Sequence, residues 1–105
     1  MRQLLKTGTI AANGQSVEAG PAAIGDLSIW IRQLTPAPPP KFNIDLVVQC
    51  AAPEAPTDFV TLTKYTDDNE HFLQIRCIEE GSYYRVVAAA YSSGSVHIRI
   101  AQDDS

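Results

Sequence analysis

The densest polar run in this chain is Thr66-Asp67-Asp68-Asn69-Glu70-His71. Its carboxylate and amide oxygens are hard donors of the kind that hold calcium. The spacing is not that of a D-x-D-x-D-G loop, and no glycine supplies the sharp turn such a loop needs. A solvated turn between two strands is the expected reading. Glu79 and Glu80 precede Gly81 on a second turn. Adjacent carboxylates on a turn diverge, so they make a poor acid/base pair for one bond. His71 and His97 are the only histidines, and Cys50 and Cys77 the only cysteines. A metal centre needs three or four convergent ligands. Both cysteines fall on apolar-facing strand positions and His97 on an outward one, so no such set assembles. A Cys–His nucleophilic pair has nothing to position it. There is no glycine-rich phosphate loop and no G-x-S-x-G elbow. The expectation is a chain with no catalytic residue, no metal and no cofactor. Its two cysteines read as buried thiols acting as small hydrophobes. No signal peptide is apparent at the N-terminus, which is consistent with a reducing compartment.

The elements that carry these residues alternate with a period of two. Lys6–Ala12 reads as a strand, and Asn13-Gly14 is a strong hairpin turn signal answered by Gln15–Ala19. Leu27–Leu34 puts Leu27, Ile29 and Ile31 on one side and Ser28, Trp30 and Arg32 on the other. Phe42–Cys50, Asp58–Thr66 and Phe72–Ile78 follow. Tyr83–Ala90 and Ser95–Ala101 flank Ser92-Ser93-Gly94 and read as a closing hairpin. In that pair Val86, Ala88, Val96, Ile98 and Ile100 are the inward candidates. About eight short strands separated by turn signals describe an all-β chain, an antiparallel β-sandwich of jelly-roll-like or Ig-like kind. Residues 1–105 form a single domain. Residues 1–6 are a candidate N-terminal arm, and residues 102–105 a short acidic tail.

Composition excludes several partners. The net charge is −4, and the eight basic residues are scattered singly. An acidic chain without a basic cluster repels phosphate backbones, so no direct nucleic-acid contact is expected. No apolar run approaches the ~20 residues of a membrane helix.

What remains are surfaces. Trp30, Phe72, Tyr83 and Tyr91 fall on the outward register, and flat amphipathic rings suit a subunit interface or a sugar platform. The interface is favoured, because no convergent carboxylates or amides accompany the rings. His97 and Arg99 alternate outward beside them. Pro38, Pro39 and Pro40 belong to a stiff proline-rich connection that ends at Phe42. Leu4 and Leu5 either pack one of the pair under the sandwich or form an arm for a neighbour's sheet edge. Apart from Phe72, these eleven residues are the interface candidates.

Three segments carry a resemblance. They are Thr7-Gly8-Thr9-Ile10-Ala11-Ala12-Asn13-Gly14-Gln15-Ser16-Val17, Tyr84-Arg85-Val86, and Tyr91-Ser92-Ser93-Gly94-Ser95-Val96-His97-Ile98-Arg99-Ile100. Their order resembles small β-sandwich virion proteins of tailed bacteriophages, in which an opening hairpin of this type pairs with a closing one. The match covers the two ends of the chain and not its middle. The resemblance implies a structural role. A capsid cement or decoration protein on the outer capsid surface, bound at junctions of the major capsid protein, is preferred. A tail, baseplate or receptor-facing component is the alternative, and a carbohydrate-binding module a third reading. It also implies a homo-oligomer, a trimer before a dimer, made in the host cytoplasm.

Overall fold

The computed structural model describes residues 2–34, 42–67 and 69–103. Pro38, Pro39, Pro40 and Asp68 lie outside the described residues. The described chain is all-β, with β1 (Arg2–Ile10), β2 (Ser16–Ala22), β3 (Gly25–Gln33), β4 (Asn43–Ala51), β5 (Val60–Tyr65), β6 (His71–Cys77), β7 (Ser82–Ser93) and β8 (Val96–Asp103). They form two four-stranded sheets, ordered β1-β8-β3-β6 and β2-β7-β4-β5. We call these sheet A and sheet B.

Every pairing is antiparallel, and the pattern is that of one long hairpin rolled up. β1 pairs with β8, β2 with β7, β3 with β6, and β4 with β5 at the tip. Rolling then brings β8 against β3 and β7 against β4. This is a jelly roll, which decides between the two sandwich types expected from sequence.

The alternation dictates the core. Leu27, Ile29 and Ile31 of β3 and Val96, Ile98 and Ile100 of β8 are fully buried on the inner side of sheet A. Ile44, Leu46 and Val48 of β4 and Val86 and Ala88 of β7 face them from sheet B. Gln102 is buried at the end of an otherwise apolar row. Its amide is satisfied by the backbone of Ala23, whose N–H donates to Oε1 at 2.9 Å and whose carbonyl accepts from Nε2.

Both sequence-expected hairpins are corrected. The Asn13-Gly14 turn forms, with Gln15 N–H donating to Ala12 O at 3.3 Å and Gly14 at φ +80°. Yet β1 and β2 lie in different sheets. The hydrogen bonds that would have continued a ladder are spent elsewhere. Ala11 N–H donates to Gln15 Oε1 at 2.7 Å, Gly14 N–H to Ala88 O at 3.1 Å, and Ala88 N–H to Gln15 O at 2.9 Å. The turn is thereby docked onto β7. The Ser92-Ser93-Gly94 turn likewise sends β7 and β8 to opposite sheets. Gly94 sits at φ +85° directly over Phe42, and a Cβ there would lie 2.6 Å from the Phe42 Cα.

The N-terminal arm is also corrected. Residues 2–6 belong to β1, with Leu4 opposite Ala101 and Lys6 opposite Ile100 across a bulge. Leu5 packs against the core, while Leu4 stays exposed.

These glycine geometries make a graded expectation for urea unfolding. Gly94→Ala adds a positive-φ penalty and a backbone clash, and costs about 3 kcal/mol. Gly14→Ala meets open space at a similar φ and costs about 1 kcal/mol. Equal losses would show that the Phe42 contact contributes nothing.

Candidate functional site

The outer face of sheet A gathers the sequence-expected residues best. Cross-strand register places Thr7 opposite Arg99, Arg99 opposite Trp30, and Trp30 opposite Phe72. The adjacent row sets Thr9 opposite His97 and His97 opposite Arg32. The Trp30 and Phe72 ring centroids are 4.1 Å apart at 41°. Phe72 is 48% exposed, and Trp30 is half-buried beside it. Arg76 on the same face donates to Asp26 Oδ1 at 3.3 Å. Arg32 and Arg99 make no ion pair among the described residues. An acidic chain therefore presents a locally cationic, aromatic face.

Two polar atoms of this face, Ser28 Oγ and Trp30 Nε1, are buried without a hydrogen-bond partner among the described residues. A depression of about 360 Å³ runs off it, lined by Trp30, Arg32, Glu70, His71 and Phe72. Its rim is the β5–β6 turn. There His71 Nε2 lies 2.6 Å from Asp67 Oδ1 and stacks on Tyr65 with centroids 3.8 Å apart. The hydrogen bond to His71, then that from the Asn69 N–H, holds the Asp67 carboxyl below its ordinary range. The stabilisation of the turn is therefore present above the ordinary aspartate pKa and fades as pH falls. Glu70 Oε2 accepts from Gln33 N–H at 2.8 Å. Asp67 and Glu70 are thus committed to separate partners, and the described residues hold no group of three or more ligands suited to a metal ion.

The remaining candidates fall elsewhere. Tyr83 and Tyr91 lie on β7 in sheet B, so they share no face with His97 and Arg99 of β8 in sheet A. Tyr83 points outward, and its ring covers Gly20, where a Cβ would come within 2.6 Å. Tyr91 is turned inward. The register between Asp45 and Leu46 skips Ala89, so that Tyr91 sits opposite the buried Ile44 and packs against the core. Its hydroxyl donates to Gly94 O at 2.9 Å. Phe42, expected at an interface, is 1% exposed and belongs to the core under Gly94. Sheet B's outer face is largely self-satisfied. Arg85 stacks 3.8 Å over Phe59 and donates from Nε to Gln49 Oε1 at 2.7 Å.

A second concavity was not legible in sequence. A groove of about 550 Å³ opens where β5 and β6 edge the two sheets, lined by Leu62, Ile75, Ile78, Cys50 and Tyr84. Both thiols are free. Burial, then the nearby Cys77, pushes the Cys50 thiol up. Burial and the Cys77 contact likewise raise the Tyr84 hydroxyl. No protein-family model matches the chain, and no curated protein matches it either.

Thiol labelling tests this corner. The thiolate is the reactive species, so a raised pKa lowers its share at neutral pH. Cys50 is expected to react slowly, with a rate still climbing where an unperturbed thiol has levelled off. Cys77, fully buried, reacts only on unfolding. Fast labelling of both residues in the folded protein would contradict the placement.

Proposed function

We propose that this chain is a non-enzymatic structural module of a virion, a capsid decoration protein of the tailed-phage type. It docks on the major capsid protein through the outer face of sheet A. The observation that carries the reading is the row Arg99–Trp30–Phe72, flanked by Arg32 and His97. Aromatic rings beside arginines that make no ion pair among the described residues have the make-up of an interface anchor. The resemblance supports the virion setting. Within its opening and closing segments, Thr7–Ile10 pair with Val96–Arg99 and Val17 with Val86. The first of these ladders adjoins the proposed docking face. Jelly rolls recur in viral shells, but also in lectins, so fold alone does not separate the two.

Docking to the assembled shell alone would stabilise it by mass action. A rigid face loses little conformational entropy when it docks. A carbohydrate platform is the second reading, favoured by Glu70 joining Trp30 and Phe72 around the depression. A tail or baseplate position would use the same face.

Cosedimentation with shells of the encoding virus is the test. Wild-type protein is expected to saturate shell sites. Trp30→Ala and Arg99→Glu each weaken binding roughly tenfold or more with circular dichroism unchanged. Absence of binding to shells would remove the decoration role, and binding to tails instead would move the protein there. A glycan that shifts Trp30 fluorescence while shells do not would favour the carbohydrate reading.

A further inference from the structure

Four strands leave one side unpaired within the described sheets: β1 and β6 in sheet A, β2 and β5 in sheet B. Such edges template pairing unless the sequence blunts them. β1 has a bulge at Leu5 followed by Lys6. β2 carries Glu18 and Pro21, the latter with no N–H to offer. β6 carries Arg76, paired with Asp26, and His71, paired with Asp67. β5 also has a bulge, at Leu62, and one charge near its end, Lys64, but it holds no proline and no glycine.

The apolar side chains along this edge are exposed. Val60 is 62% exposed, Leu62 46%, and Ile78 across the groove 80%. The ladder between β4 and β5 skips Leu62, and this bulge brings Leu62 into the groove alongside Cys50. A monomer gains nothing from presenting that surface to water.

We infer that the free edge of β5 pairs antiparallel with β5 of a second copy, about a two-fold axis at Thr61. The segment Asp58-Phe59-Val60-Thr61-Leu62-Thr63-Lys64 is self-complementary in that register. Leu62 of each copy meets Val60 of the other, Thr61 meets its own counterpart, and Lys64 comes beside Asp58 of the other copy. Lys64 is the only charge in β5, and no like charges meet. An isologous contact of this kind closes with two copies and leaves neither β5 edge open. Sheet B thereby becomes one continuous sheet across the pair. The N-terminal strand is no rival occupant, because residues 2–10 are committed to β8.

The inference does not rest on the virion reading, and its test uses the free protein alone. Sedimentation equilibrium across a concentration series is expected to give a dimer. Leu62→Lys weakens it roughly tenfold or more, with the β-sheet circular dichroism retained. Asp58→Lys and Lys64→Asp each weaken it several-fold through like-charge contact. Mixing those two variants restores a heterodimer, because each copy then supplies the charge the other lacks. A lost fold in either charge variant would be excluded by that recovery. A monomer at every concentration overturns the inference, as does a trimer or a dimer indifferent to all three substitutions.

Discussion

The structure depends on one constraint: each strand in the first half of the chain must find its mirror in the second half. β1 needs β8 and β2 needs β7, so the first-formed turns cannot close local ladders. All but one of the consecutive strand pairs then cross between sheets, and β4–β5 alone is a sequence-local hairpin. Most stabilising contacts therefore span long loops. Their closure entropy must be met before burial rewards it, which makes such topologies slow to fold. What holds the result is mutual burial of two apolar rows. Neither sheet has a hydrophobic face it can hide alone.

The turns adapt to this constraint through side chains and backbone groups that sequence patterns do not reveal. Gln15 takes the Ala11 N–H that a hairpin partner would have taken. Gln102 closes the β2–β3 corner against Ala23 from a position that alternation marks as core. Both satisfy backbone groups left over by strands that part company, as buried or crowded backbone requires.

Where the strands are regular, faces were legible. Trp30, Phe72, Arg32, His97 and Arg99 point outward as alternation indicates, because β3, β6 and β8 pair without slippage. Where bulges intervene, phase is lost. Ala89 shifts Tyr91 from the outer face to the core, and the extra residue at Leu62 turns an apolar side chain into an open groove. A one-residue slip exchanges the two sides of a strand, and nothing in local composition announces it. Phe42 illustrates another limit. Gly94, about half the chain away, packs directly over it.

By itself the sequence determined the all-β class, the approximate positions of eight strands and most of the core. Period-two alternation and turn chemistry are local properties, and they survive any choice of partner strand. Tertiary structure alone decided which strands share a sheet. It separated Tyr83 from His97 and Arg99, joined Arg99 to Trp30 and Phe72, and left β5 at the edge of sheet B with Val60 and Leu62 exposed. Strand pairing is a contest among many alternating segments of similar affinity. It is settled by which arrangement buries both apolar faces together, a property of the whole chain.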